Sequence, residues 1–269
     1  MSPTSVRALP GRAGEYLVIE GAEPSTRELA RVASGELGAH VLSAPDGSLD
    51  FLRPIIGQID RLIVTDRFCH GLAVLEGASS LLELDLWAIP DREVPFRGMK
   101  RLRSFAGWGR KVGLLKAVST LEKVSLETVS DSALEGAVGR LQRVELTRAS
   151  ALSGPPRVVH PESVRFLMIH GARQLDLSSL KRFTSLEELR LISCKALTGV
   201  SVLGRMPQLK ELMLEKCTSL DDLDALRWVT ADRVRVFGLN PYDEDFRALV
   251  GAAHPGQWEF PKGSIVRST

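Results

Sequence analysis

Cysteine is scarce: Cys69, Cys194 and Cys217 are the only three in 269 residues. That odd, sparse set excludes the dense disulfide framework of a small secreted domain. Long apolar runs are missing as well. Nothing approaches the roughly 20 consecutive apolar residues that cross a bilayer. The opening Met1-Ser2-Pro3-Thr4-Ser5-Val6-Arg7 offers no apolar stretch for a signal peptide, and Arg12 and Glu15 follow closely. Net charge is also lacking, because 35 basic and 33 acidic residues leave only +2, too little for the broad positive field that gathers nucleic acid or anionic lipid. These absences point to a chain of the reducing cytoplasm, with neither nucleic acid nor membrane as a partner. What remains is 44% hydrophobic and 25% charged, the composition of a chain that folds.

Signatures of catalysis are missing too. The five histidines, His40, His70, His160, His170 and His254, show no H-E-x-x-H pattern and no paired-cysteine spacing, so no metal and no cofactor is expected. Residues 107 to 113, Gly-Trp-Gly-Arg-Lys-Val-Gly, are a poor phosphate loop: the glycine spacing is wrong and no Ser or Thr follows Lys111. Acidic pairs such as Glu187-Glu188 and Asp221-Asp222 read as solvated surface. No nucleophile can be matched with a base and an orienting acid, and the chain is not expected to be an enzyme.

What is present is a repeat. Residues 186 to 191 read Leu-Glu-Glu-Leu-Arg-Leu and residues 209 to 214 read Leu-Lys-Glu-Leu-Met-Leu, 23 residues apart. Cys194 and Cys217 follow each hexad by three residues, and Leu197 and Leu220 by six. In that register, coils begin at Leu81, Leu102, Leu121, Leu141, Val164, Leu186 and Leu209, each with apolar residues three and five places on, except that Gly107 replaces the second of them after Leu102. Weaker coils begin at Gly14, Glu36, Ile59 and Ala231, and every interval from Gly14 onward lies between 19 and 23 residues. Alternation along a short strand turns the second and third apolar residues of each hexad inward and the residues between them outward. The second half of a coil, such as Leu175, Leu177 and Leu180, supplies the apolar stripe of a short helix or turn. Gly154-Pro155-Pro156 and Pro161 make the return of the Leu141 coil an irregular loop.

This L-x-x-L-x-L-x-x-C-x-x-L pattern resembles the leucine-rich repeat, closest in period to the 22-residue internalin-like class. The resemblance implies an α/β repeat fold: a leucine-rich-repeat solenoid with a curved parallel β-sheet on the concave side, short helices or turns on the convex side, and a cap at each end. Residues 1–35 are expected to form an N-terminal strand-helix cap or first coil, 36–240 the array and 241–269 a C-terminal cap, all one domain. The capping box Ser25-Thr26-Arg27-Glu28 predicts a helix to about Ala33, stopped by Gly35. Residues from Tyr242 to about Ala252 predict another, and Trp258-Glu259-Phe260 a last strand. With both ends capped, the array is expected to be complete. One position departs from the class: where asparagine usually bonds the turn backbone, this chain has Ala149, Ala172, Cys194 and Cys217. Those turns must find other partners, in water or in neighbouring coils. Cys194 and Cys217, about 4.8 Å apart on adjacent coils, could geometrically be bridged, but packing as free thiols is expected.

The register also names the outward-facing residues. Trp87 and Trp108 fall side by side on neighbouring strands, with Glu83 and Asp85 beside them. Phe166, Met168 and His170 share another strand, flanked by Arg143, Glu145 and Arg190. Apolar anchors ringed by charge are the make-up of protein-binding surfaces, unless a tryptophan folds over the sheet rim beneath a loop. The expected role is a protein-binding module, monomeric by itself. The alternatives are an inhibitor or immunity protein that sequesters one enzyme or toxin, or the recognition subunit of an enzyme system.

Overall fold

A computed structural model describes residues 4–10, 12–88, 94–109, 117–238 and 258–259. The chain divides into two compact units, Met1–Val124 with Gly136–Gly139, and Ser125–Glu135 with Arg140–Thr269.

In the first unit β1 (Thr4–Ala8) runs antiparallel to β2 (Glu15–Glu20). The helix α1 (Thr26–Ala33) follows, closed by the expected capping box: the Ser25 side chain accepts from the Glu28 N–H and the Glu28 carboxylate accepts from the Ser25 N–H. Then come β3 (Gly38–Ser43), β4 (Arg61–Val64), β5 (Glu83–Leu86) and β6 (Ser104–Trp108), each parallel to its predecessor in the chain. The strand β7 (Lys123–Glu127) carries the boundary between the units.

In the second unit the principal strands are β8 (Arg143–Thr147) and β9 (Phe166–His170). Next, β10 (Gln174–Asp176) alternates with β11 (Glu188–Ile192), and β12 (Ala196–Thr198) with β13 (Glu211–Glu215). After β14 (Ser219–Leu220), β15 (Arg233–Phe237) pairs in parallel with β16 (Trp258–Glu259), the expected last strand. Strands β8, β9, β11, β13 and β15 pair in parallel without a register break. Strands β10, β12 and β14 form a second, three-stranded sheet. The helix expected from Tyr242 to Ala252 lies outside the described residues, as does Phe260.

From the Glu36 coil to the last, each strand begins two residues after the predicted coil start, and the hexad leucines enter the core as alternation requires. Leu189, Leu191, Leu212 and Leu214 are all fully buried, a gain of about 1.5–3 kcal/mol per side chain. Only the Gly14 coil returns through an α-helix, α1, among the described residues. Several later returns are 3₁₀ turns, among them Leu177–Arg182 and Val200–Arg205, whose buried pairs Leu177/Leu180 and Val200/Leu203 are spaced by three residues, as a three-residue turn requires.

The missing asparagine is replaced by main chain. In the second unit the residue after each principal strand adopts a left-handed conformation: Thr128 (φ 60°), Arg148 (48°), Gly171 (82°), Ser193 (52°), Lys216 (52°) and Gly238 (62°). This aims N–H groups at the next coil. The Thr128 N–H donates to the Thr147 carbonyl at 2.9 Å, that of Gly171 to Ile192 at 2.8 Å and that of Ser193 to Glu215 at 2.6 Å. Cys194 and Cys217 are buried and free, and their thiols point at the carbonyls of Ile169 (3.6 Å) and Leu191 (3.5 Å). A hydrogen bond with Cys194 and its own burial push the Cys217 thiol up, so that position packs as a small hydrophobe.

Gly107, the exception in the hexad pattern, is demanded by close approach. A Cβ there would stand 2.5 Å from the Leu86 carbonyl oxygen and 3.1 Å from the Phe105 ring, and Phe105 is already packed edge-on against Phe96 with centroids 5.0 Å apart. Gly107→Ala is expected to lower stability by about 1–3 kcal/mol, read as a reduced urea midpoint with unchanged m-value.

Candidate functional site

Each unit presents a sheet face that the core does not use, and the sequence-predicted residues fall on these two faces. Trp87, Trp108, Glu83 and Asp85 belong to the first unit, and Arg143, Glu145, Phe166, Met168, His170 and Arg190 to the second.

On the first unit, Trp87 and Trp108 meet edge-to-face, with ring centroids 6.2 Å apart and planes at 79°. The Trp108 Nε1–H donates to the Trp87 carbonyl at 2.9 Å, and the Arg67 guanidinium lies 5.7 Å from the Trp108 ring. Both indoles are half-buried. They form one packed step rather than two separate side chains, because the Trp108 indole N–H is tied to the Trp87 main chain and the rings meet edge-to-face.

The acids beside them differ from expectation. Asp85 is buried, the one charged side chain of which this is true among the described residues. Its partner comes from the β1–β2 loop: Arg12 contacts the Asp85 carboxylate and stands 3.9 Å from Glu83. The loop is held from below by Arg61, whose guanidinium donates to the Ala13 carbonyl and lies 5.1 Å from the Tyr16 ring. Tyr16 is fully buried, its ring filling the space over Gly38, where a Cβ would stand 2.4 Å from it. Burial pushes the Asp85 carboxyl above the usual aspartate range against the attraction of Arg12, and Glu83 adds to the rise. Burial likewise raises Tyr16 against the pull of Arg61. Beside them His40 Nε2 lies 3.3 Å from Thr65 Oγ1 while its Nδ1 is buried without a partner, and burial lowers its pKa.

Sequence reasoning missed Tyr16 and Arg12. Extending the register to the Gly14 coil puts Tyr16 in the row of Gly38, Arg61 and Glu83. No signal could have placed Arg12, which belongs to no repeat position.

On the second unit Phe166 faces outward but is only 6% exposed, so it is not the open anchor expected. Its strand neighbours explain why: the Arg143 guanidinium stacks 3.6 Å from the ring centroid and that of Arg190 lies at 5.3 Å. Each arginine is in turn held by a carboxylate, Arg143 by Glu145 at 2.6 Å and Arg190 by Glu188. Glu211 continues the network, 3.4 Å from Arg235. Met168 and His170 remain half-exposed, beside Arg190 and Ile192 on β11.

Nothing in either arrangement suits acid–base or nucleophilic chemistry. A cleft beside Pro155 and Pro156 is lined by Asp131 and Asp176, but both carboxylates serve turns. Burial opposes ionisation of Asp131, yet hydrogen bonds from Ser153 hold it below the usual range, and Ser178 does the same for Asp176. Among the described residues no group of three His, Cys, Asp or Glu is placed to hold a metal. Likewise, no helix is long and apolar enough to cross a membrane.

Arg12→Ala leaves Asp85 buried without its cation and is expected to cost about 1–3 kcal/mol near pH 7, less than a fully buried pair because Arg12 is partly solvated. The folded chain then binds the Asp85 proton more tightly than the unfolded chain. Stability therefore rises as pH falls through the raised Asp85 pKa, and the deficit should shrink between about pH 7 and about pH 4. Thermal melts of both proteins across that range check it, and a pH-independent deficit would contradict the assignment.

In overall structure the chain is similar to an internalin (inlF) from Listeria monocytogenes, with a TM-score of 0.61 and 17% identity over 81% of this chain. The match spans 66% of that structure, just under two thirds of its length. An internalin C2 (inlC2) from the same organism superposes over 82% of this chain and 80% of its own, with 15% identity and a TM-score of 0.33. No protein-family model matches the sequence and no curated protein does. At 17% identity the inlF likeness is one of fold alone. Together with parallel strands that recur at the coil period, it shows that the chain has the leucine-rich-repeat fold in its internalin-like form.

Proposed function

We propose that this chain is a non-enzymatic protein-binding module that engages its partner through the outward sheet face of its first unit. The observation that carries the reading is the Trp87–Trp108 step. Folding does not require it, because the strands already bury their inward side chains. Two half-exposed indoles in one fixed geometry are costly in water unless something covers them, and aromatic anchors with fixed rotamers are what concentrate binding energy at protein interfaces. Arg12, Arg61, Glu83 and Asp85 beside the step mix signs, which suits the patterned charge of a protein better than the uniform charge of a polyanion. The fold itself assigns no partner. A reducing cytoplasm would keep Cys194 and Cys217 as the thiols that pack between the coils.

Affinity capture with the wild-type chain supplies the partner for the test. The Trp87→Ala/Trp108→Ala double variant is expected to stay folded by circular dichroism and to bind that partner at least tenfold more weakly. Undiminished binding by the folded variant would overturn the assignment.

A further inference from the structure

Asp85 occupies an outward position whose strand neighbours are Ile63 and Ala106, both apolar and nearly buried. Folding has no need of a carboxylate there, since a well-packed apolar residue would serve as well or better. The group it holds comes from 73 residues away in sequence and rides on the β1–β2 loop, whose described anchors include the Arg61 bond to Ala13 and the turn bond from the Arg12 N–H to Leu9 at 3.1 Å. The Arg12 side chain keeps 30% of its surface in solvent, so the pair is open on one side. Glu83 stands within 3.9 Å of the same guanidinium, and the buried Tyr16 lies in the electrostatic reach of Arg12 and Glu83. Glu83 and Asp85 are alternate residues of β5 and Trp87 follows its end, at successive spacings of about 6.8 Å, so a chain lying over the tryptophan step would bring its own side chains close to Asp85.

We propose that Asp85 and Glu83 form a receptor for an arginine side chain on an extended segment of the protein partner, and that Arg12 fills this receptor in the free chain. The inference rests on the reading that the partner lies on the Trp87–Trp108 face, and it names the chemistry that face selects. A planar guanidinium fork can engage Asp85 and Glu83 together, as Arg12 does, whereas a lysine ammonium is a single point of charge. Binding is then an exchange of one arginine for another. The native loop blocks weak or incidental cations and yields to a segment that also gains the aromatic step.

The test uses a labelled pentapeptide with one central arginine and glycines on either side, together with its lysine and citrulline counterparts. Binding is measured by fluorescence anisotropy to the full chain, to Arg12→Gln and to Arg12→Gln/Asp85→Asn. The Arg12→Gln chain is expected to bind the arginine peptide at least tenfold more tightly than either counterpart, and at least tenfold more tightly than the wild-type chain does. Adding Asp85→Asn is expected to abolish the gain. A folded Arg12→Gln chain that binds the arginine and citrulline peptides alike, or no better than wild type, overturns the proposal. Should Arg12→Gln not fold, it is refolded with argininamide or with lysinamide. Recovery with argininamide alone supports the receptor, and recovery with both or neither overturns it. If the captured partner depends on Trp87 and Trp108 while Arg12→Gln takes up no arginine peptide, the receptor falls and the binding face stands. If the peptide binds but the tryptophan variant keeps its partner, the binding face falls and the receptor stands.

Discussion

A strand about 4.8 Å from its parallel neighbour can bury its apolar side only against the next coil, and in this chain every other feature answers to that constraint. Leu189 and Leu191 are shielded by the coils before and after them, which is why the sequence must return to the same register every 19 to 23 residues. The short period keeps the return path brief, in several coils a single 3₁₀ turn. It also requires each turn to hand its N–H groups to the following coil, a demand met in the second unit by a left-handed residue at the end of each strand. Because inward positions carry the stability, outward positions are free to vary, and it is on them that the two units differ.

The first unit builds a hard aromatic step next to an occupied carboxylate. The second has Phe166 between two arginines that are themselves tied to glutamates. A guanidinium over an aromatic face is worth about 0.5–2 kcal/mol depending on its solvation, and here it also removes the ring from water. Phe166 is thus covered by its own strand neighbours, whereas the first face contains a half-exposed step and a buried acid held by a borrowed cation.

Strand positions and the facing of side chains were legible because period two within a strand and period 22 along the chain are both written in leucines. Trp87 and Trp108 were found side by side for that reason alone. The environment of Asp85 was not legible. Alternation shows that a side chain faces away from the core, but it is silent about a loop that folds back over the same face, and Arg12 reaches Asp85 from outside any repeat. Phe166 was misjudged for a related reason: its exposure depends on the rotamers of Arg143 and Arg190, which spacing does not encode. The turns were half legible, since the missing asparagine was plain while its replacement by main-chain geometry at Thr128, Arg148, Ser193 and Lys216 has no residue signature.

A coil closed by an asparagine ladder must offer one particular side chain to its neighbours, and any inserted or lost coil must respect it. Coils closed by their own peptide groups, as in the second unit, ask for no particular side chain at that one position. The side chain that follows the left-handed residue is thereby released from closing the turn, and small residues such as Ala149 and Ala172 can pack there instead.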